Sequence, residues 1–96
     1  MRQSSPSALG NAIASALQKL GITKKLRSYE VLDLWPSIVG DRIAAVSSAE
    51  RFVGGTLFVK VDQATWRNEL LFLKAELIAK INARMQEDIV REIVFR

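Results

Sequence analysis

Two short segments rich in β-forming residues, Ala49–Val53 and Thr56–Val61, are joined by the pair Gly54-Gly55. A two-residue hairpin turn requires positive φ angles, which glycine adopts without steric cost, so this stretch predicts a β-hairpin. Because side chains alternate between the two faces of a strand, every second residue of the later segment is expected to face the core. Those core-facing residues are Leu57, Val59 and Val61.

The sequence before the hairpin has the periodicity of helices. Apolar residues recur every three or four positions from Ser7 to Leu20, and Gly21 predicts the end of this first helix. Thr23 is expected to cap a second helix, whose apolar residues stay in helical phase across Pro36 and Gly40. Proline lacks the backbone donor and disfavours helical geometry in the residue before it, so we expect this second helix to be kinked or briefly broken.

A long helix and a final strand are predicted after the hairpin. Asp62 is expected to cap the helix. Ile89–Arg96 is predicted to form a strand, but the sequence does not indicate which of its two faces packs on the core. The apolar stripe expected along the helix comprises Trp66, Leu70, Leu73, Leu77 and Ile81, widened by Leu71, Ile78 and Met85. The element order predicts an α+β fold, with a three-stranded sheet packed against helices.

The 96 residues are enough for one domain, which we place at residues 7–96 behind a flexible tail, Met1–Pro6. Neither cysteine nor histidine occurs, which excludes disulfides, thiolate and imidazole metal sites, and catalysis by either residue. None of the five glycines precedes a Lys-Ser or Lys-Thr pair, so no phosphate-binding P-loop is present. We therefore expect no enzyme activity, no cofactor and no small-molecule substrate.

The sequence contains no membrane-spanning or targeting signal. No apolar run approaches the roughly 18 residues that a transmembrane helix needs, and Met1–Pro6 leads into no apolar signal-peptide segment. We expect a cytoplasmic protein that does not bind membranes. Association with the nucleoid is compatible with this location.

Positive charge is concentrated near the start of the chain. Residues 1–29 contain five basic side chains and no acid, whereas the remaining residues contain nine basic and ten acidic side chains. Such a cluster indicates either a solvated surface or a site that neutralises nucleic-acid phosphates. The candidate phosphate-binding residues are Lys19, Lys24, Lys25 and Arg27.

Three aromatic residues are candidates for packing or for contact with a partner. Trp35 and Trp66 both lie on apolar helical stripes, so a packing role is favoured for each. Trp66 follows the hairpin within one helical turn, next to Arg67, where a partly exposed ring could anchor an interface. Phe58, on the outer face of the hairpin with Lys60, could contact a nucleotide or be covered by the first helix.

Four segments carry a family resemblance: Trp35–Gly40, Gly54–Val61, Trp66–Leu70 and Val90–Arg96. Across about residues 8–96, the chain resembles the DciA family, which is associated with the bacterial replicative helicase as a loader or operator and whose shared domain is KH-like. The resemblance implies a KH-like domain and a replicative DNA helicase as partner. On this hypothesis Trp66 and Arg67 contact the helicase, and the basic cluster contacts DNA.

Two other functions remain open from the sequence. A KH-like sheet carrying Phe58 is also compatible with an RNA-binding module that acts on ribosomal or messenger RNA. A third hypothesis is a purely structural interaction protein, such as a homodimer that pairs through the edge of its final strand.

Overall fold

The computed structural model describes residues 6–96, which form four helices and three strands. In chain order these are α1 (Pro6–Lys19), α2 (Ile22–Val39), α3 (Asp41–Ala44), β1 (Ser47–Val53), β2 (Thr56–Val61), α4 (Ala64–Met85) and β3 (Glu92–Phe95). The predicted α+β class, with a three-stranded sheet packed against helices, is confirmed. Of the predicted tail Met1–Pro6, Pro6 begins α1 and the other residues lie outside the described part of the chain.

The predicted break in the second helical segment falls at Gly40, between α2 and α3. Pro36 lies inside α2, and its carbonyl still accepts a hydrogen bond from the Gly40 N–H at 3.0 Å. Gly40 has φ 86° and ψ 168°, a backbone conformation that residues with a Cβ rarely adopt. The chain therefore changes direction at the glycine, and the proline is accommodated within the helix.

Both predicted helix caps are wrong. Helix α2 starts one residue before Thr23, and its N-cap position is Gly21, which has no side chain to cap it. Helix α4 starts after Gln63, which forms no side-chain capping hydrogen bond. Asp62 lies one residue too early, and its backbone N–H donates instead to the Val46 carbonyl at 2.9 Å. A side chain caps a helix from the residue just before the first helical one. A shift of the helix start by one position therefore removes the cap.

Strand β2 lies in the centre of the sheet, antiparallel to β1 and parallel to β3. Gly54 and Gly55 form the predicted hairpin turn, with φ of 57° and 84°. Parallel pairing of β2 with β3 needs a long crossover connection, and α4 lies in that connection. In β1 the register shifts after Ala49, so Glu50 has no partner in β2 and Phe52 lies on the same face as Ala49.

The hydrophobic core lies between one face of the sheet and helices α2 and α4. Trp35 of α2 is fully buried there, which confirms its predicted packing role. The Trp35 Nε1 donates a hydrogen bond to the Ser47 Oγ at 3.0 Å, and the indole ring centroid lies 6.3 Å from that of Phe95. The predicted core face of β2 is also confirmed, because its three members are buried: Leu57, Val59 and Val61.

Helix α4 presents most of its predicted apolar stripe to the core. Leu71, which was expected to widen this stripe, is exposed, so that part of the prediction is wrong. In β3 the core side, which the sequence left open, is the side of Ile93, and this strand is shorter than the predicted Ile89–Arg96. The fully or nearly buried residues of α4 are Leu70, Leu77, Ile81 and Met85.

One side chain joins the end of α4 to the segment that leads into β3. The Asn82 Nδ2 donates to the Val90 carbonyl, and the Asn82 Oδ1 accepts from the Val90 N–H, both at 2.9 Å. Val90 is itself buried, so its backbone groups are withdrawn from water. These two hydrogen bonds hold the chain where it turns back toward the parallel strand.

Candidate nucleic-acid and partner interfaces

An open groove of about 960 Å³ lies between the start of α2, the hairpin turn and the segment that follows α4. Three of the four predicted phosphate-binding residues line this groove: Lys24, Lys25 and Arg27. The fourth, Lys19, is exposed in the last turn of α1 and is not among the lining residues. The structure thus brings three of these cations to one surface and places Lys19 outside it.

Lys24 and Lys25 are exposed at the rim of this groove, in the first turns of α2. Among the ion pairs formed by residues 6–96, none involves either ammonium group. The first turn of α2 contains no acidic residue, and positive charge at a helix N-terminus is disfavoured by the helix dipole. An anion bound beside these two lysines would relieve that repulsion.

Arg27 differs from the two lysines because its guanidinium is bound within the protein. It forms an ion pair with Glu87, lies 3.9 Å from the Glu30 carboxylate, and has Nη2 at 3.4 Å from the Met85 carbonyl. These contacts join α2 to the C-terminal end of α4. Since its charge is shared with two carboxylates, Arg27 contributes more to the shape of the groove than to its positive potential. Its role in phosphate binding stays a prediction.

Arg91 is a fourth cation in the groove, and sequence reasoning missed it. Its Nη2 donates to the Gly54 carbonyl at 3.3 Å, and its backbone N–H donates to the Gly55 carbonyl at 2.8 Å. A Cβ on Gly55 would lie 2.7 Å from the Arg91 Nε, so a side chain there would displace the Arg91 guanidinium. No local signal in the sequence marks it, because the place of Arg91 beside the hairpin turn depends on the parallel pairing of β3 with β2.

The groove carries a net positive charge. Its four cations face two acids, Glu87 and Asp88, which leaves a balance of +2 among the lining residues. Glu87 is already paired with Arg27, so the charges with the fewest protein partners are Lys24, Lys25 and Arg91. This arrangement can hold backbone phosphates, and nothing in it distinguishes one base sequence from another.

Trp66 and Arg67, the predicted helicase contacts, lie at the start of α4 with both side chains half-buried. The Trp66 ring packs against the edge of the core, and the Arg42 guanidinium lies 5.5 Å from its centroid. The Arg67 Nη2 donates to the Val61 carbonyl at 3.2 Å. Trp66 therefore combines a packed side with an accessible side, as a large aromatic interface anchor does.

The first helix presents a second accessible surface that sequence reasoning missed. The apolar stripe expected on α1 is present, but the residues described on it are exposed: Leu9 and Ile13 in the helix and Leu20 just after it. On α2, Leu26 and Tyr29 are exposed as well. Large apolar side chains exposed in contiguous patches are typical of surfaces that bind a partner. Periodicity identified the stripe but not whether anything covers it.

Neither a metal centre nor a membrane helix is found in the described residues. Within residues 6–96 no three metal-ligating side chains of the acidic, histidine or cysteine types come together as a metal site. In the same residues, none of the helices has the length and apolar character needed to cross a bilayer.

Comparison with known families places the chain among its relatives. The sequence profile of the family described as "Dna[CI] antecedent, DciA" matches residues 8–95. The chain belongs to the DciA family. In this DciA domain the two tryptophan motifs have different environments, since Trp35 is buried in the core and Trp66 is partly accessible.

Curated relatives of this DciA domain are named UPF0232 proteins. The relative from Mycobacterium tuberculosis strain H37Rv is 31% identical over 88 residues, and that from Rhodococcus jostii is 30% identical over 86 residues. These matches cover 92% and 90% of this chain, but 47% and 44% of the two relatives. The chain thus spans about half the length of the curated relatives it matches.

Proposed function

We propose that this DciA-family chain is a non-enzymatic accessory of bacterial DNA replication, which binds the replicative helicase and DNA in the cytoplasm through contacts alone. Membership of the DciA family supports the replication role. The observation that carries the DNA part is the gathering of Lys24, Lys25 and Arg91 around one groove. These cations come from segments far apart in sequence, so the fold is what brings them together.

The helicase part of the proposal rests on accessible apolar surface. The half-buried Trp66 has Arg42 beside its ring, and both side chains could enter a shared contact. Aromatic and arginine side chains provide much of the binding energy in protein interfaces. We assign the helicase contact to Trp66 and Arg67. The exposed apolar residues of α1 and the start of α2 form a separate surface toward the other end of α4, where Arg27 meets Glu87.

Removal of the two groove lysines is expected to weaken DNA binding. In the double variant Lys24→Gln/Lys25→Gln, two phosphates are no longer neutralised, which should lower affinity to a similar degree for every DNA sequence. The slope of log K against log salt should also become shallower, by about one unit for each of these phosphates. Fluorescence anisotropy with labelled duplexes, over a salt series, measures both quantities.

A matched control removes the same amount of charge from another surface. Lys80→Gln/Arg84→Gln alters two exposed cations of α4, neither of which lines the groove. Affinities that fall equally in both double variants would show that only net charge matters and would contradict the groove assignment. Tighter binding of RNA than of DNA of the same sequence would instead favour an RNA-binding module.

We expect the variant Trp66→Ala to bind the replicative helicase much more weakly. Truncation of an aromatic anchor commonly costs about 2 kcal/mol or more of binding energy, so affinity should fall by about 30-fold or more. Sedimentation with the replicative helicase of the same genome, without nucleotide, measures the complex. Arg67 is a poorer first target, because its hydrogen bond to the Val61 carbonyl also supports the fold.

The control for this experiment is Phe72→Ala, which removes a second large aromatic residue from α4. Phe72 is 88% exposed, so its loss should leave the fold intact. Circular dichroism establishes that both variants are folded before sedimentation. An unchanged complex with folded Trp66→Ala would place the helicase contact elsewhere, and equal losses in both variants would show that the contact is not specific to Trp66.

A further inference from the structure

We propose that the outer face of the sheet, at the end of β2, binds single-stranded nucleic acid, with a base stacked at Phe58 and a phosphate held by Lys60 and Arg96. This surface is separate from the groove that contains Lys24. The inference deepens the proposed DNA binding by naming a ligand class and a second site, and it rests on that function.

Phe58 lies on the face of the sheet opposite the core. It alternates with Leu57 and Val59, which are both fully buried beneath α2 and α4. The Phe58 ring is covered by two guanidinium groups, with the Arg51 Cζ 4.3 Å and the Arg96 Cζ 5.8 Å from its centroid. A phenyl ring on the open face of the sheet is thus bounded by long cationic side chains.

An aromatic ring with stacked guanidinium groups is suited to nucleobases. Bases stack on aromatic rings and on the planes of arginine side chains, and this stacking does not depend strongly on base identity. A base can lie on the Arg51 guanidinium or replace it against the Phe58 ring. In either arrangement Arg51 and Arg96, which are both exposed, remain close enough to approach phosphates.

A pocket of about 430 Å³ adjoins this stack at the end of β2. Its charged lining consists of Lys60, Arg67 and Arg96 against one acid, Glu50, which gives a balance of +2. Glu50 is the unpaired residue of the β1 register shift, and its carboxylate lies 3.9 Å from the Arg96 Nη2. The pocket therefore keeps a positive charge that a phosphate would neutralise.

Arg67 adds positive charge to the lining of the same pocket. Its Nη2 is bonded to the Val61 carbonyl, but its Nε is buried and has no hydrogen-bond acceptor among the described residues. A buried charged donor without an acceptor is costly, since the full desolvation penalty is uncompensated. The Nε has no surface that an anion could contact, so Arg67 contributes to the pocket only through the charge of its guanidinium.

The acidic residue of β3, Glu92, is neutralised by the protein itself. Its carboxylate accepts a hydrogen bond from Lys74 at 2.9 Å and from the Ile93 N–H at 2.8 Å. The Lys74 ammonium, followed by that backbone bond, holds the pKa of Glu92 below its ordinary value of 4.5. Because this carboxylate is paired with Lys74 of α4, it repels an incoming phosphate less than an unpaired carboxylate would.

The geometry favours single strands over duplexes. A base in a duplex is stacked on both faces, and it can reach Phe58 only after it has been unstacked, which costs a few kcal/mol. A single strand presents its bases without that cost. The groove beside α2 is lined by one aromatic residue, Phe52, and within residues 6–96 no guanidinium is stacked on that ring, so the two surfaces should differ in strand preference.

The test uses the full chain with an oligo(dT) single strand and a duplex of equal length. Phe58→Leu keeps an apolar side chain but removes the ring, and it should weaken oligo(dT) binding by about 5- to 150-fold, the range expected when one base loses its stacking partner. Duplex affinity should change by less than about twofold, because a paired base does not reach the ring. Phe72→Leu, on the exposed side of α4, is the matched control and should bind both ligands like the unaltered chain.

A second variant and a direct readout make the test independent of any change in folding. Lys60→Gln/Arg96→Gln leaves Phe58 in place and should lower both oligo(dT) affinity and its salt slope. Ultraviolet cross-linking of an oligonucleotide containing 5-iodouracil should give a peptide modified at Phe58. Wild-type affinity in Phe58→Leu, or cross-links confined to the Lys24 groove, would overturn the proposal.

The two proposals fail in different ways. If Lys24→Gln/Lys25→Gln abolishes all DNA binding while Phe58→Leu changes nothing, the sheet site is wrong and the groove assignment stands. If Phe58→Leu loses oligo(dT) but the chain does not sediment with the helicase, the helicase role is wrong and the sheet site stands.

Discussion

Trp35→Ala is expected to lower the free energy of unfolding by about 3–5 kcal/mol, the usual range for a buried tryptophan cut to alanine. Trp35 has no exposed surface and packs between α2 and the sheet, with its ring 6.3 Å from that of Phe95. Its removal leaves a cavity that the surrounding helices can close only in part. A domain of this size has roughly 5–15 kcal/mol of stability in total, so the variant should be close to unfolding. Urea denaturation followed by circular dichroism measures the change.

The hydrogen bond of Trp35 can be separated from its packing. Ser47→Ala removes the acceptor of the indole N–H at 3.0 Å and should cost about 1–3 kcal/mol, because a buried donor is then left without a partner. Phe72→Ala, at an 88% exposed position, should change stability by less than about 0.5 kcal/mol. If Trp35→Ala cost no more than Phe72→Ala, the assignment of Trp35 to the core would be wrong.

Asn82→Ala is expected to cost about 2–4 kcal/mol, since it leaves two backbone groups of Val90 without partners at roughly 1–2 kcal/mol each. The Asn82 side chain forms both of its 2.9 Å hydrogen bonds with that one residue, at the point where the chain leaves α4 for β3. The effect should be local as well as global. Hydrogen exchange at the Val90 amide should accelerate more than exchange in β2, and thermal unfolding reports the total loss.

Asn68→Ala provides the matched control, because Asn68 is exposed on the same helix. It should leave both stability and exchange at Val90 unchanged. Asn82→Asp keeps an oxygen acceptor for the Val90 N–H but turns the other oxygen toward the Val90 carbonyl. Its loss of stability should therefore be intermediate at neutral pH. Equal stability of Asn82→Ala and Asn68→Ala would show that the end of α4 is held by packing alone.

The candidate sites show where prediction from sequence stops. Lys24 and Lys25 were identified from the absence of nearby acids along the chain, and they line the groove. The same reasoning treated Arg27 as equivalent, but Arg27 is bound by Glu87, a residue 60 positions away. Arg91 was missed for the matching reason, since its place beside the hairpin turn depends on which strand pairs with β2. Packing between distant segments decides which charges form ion pairs. A count of charges along the chain does not include that information.

What the sequence determined by itself is local: the hairpin, the core face of β2 and most of the apolar stripes of the helices. Glycine φ angles and side-chain periodicity act within a few residues, so these features can be read along the chain. The tertiary structure alone decided that the stripe of α1 stays uncovered and that β3 runs parallel to β2. It also decided that two arginines from different parts of the sheet cover Phe58. Those outcomes depend on contacts between segments distant in sequence, whose free energies are settled only when the whole domain packs.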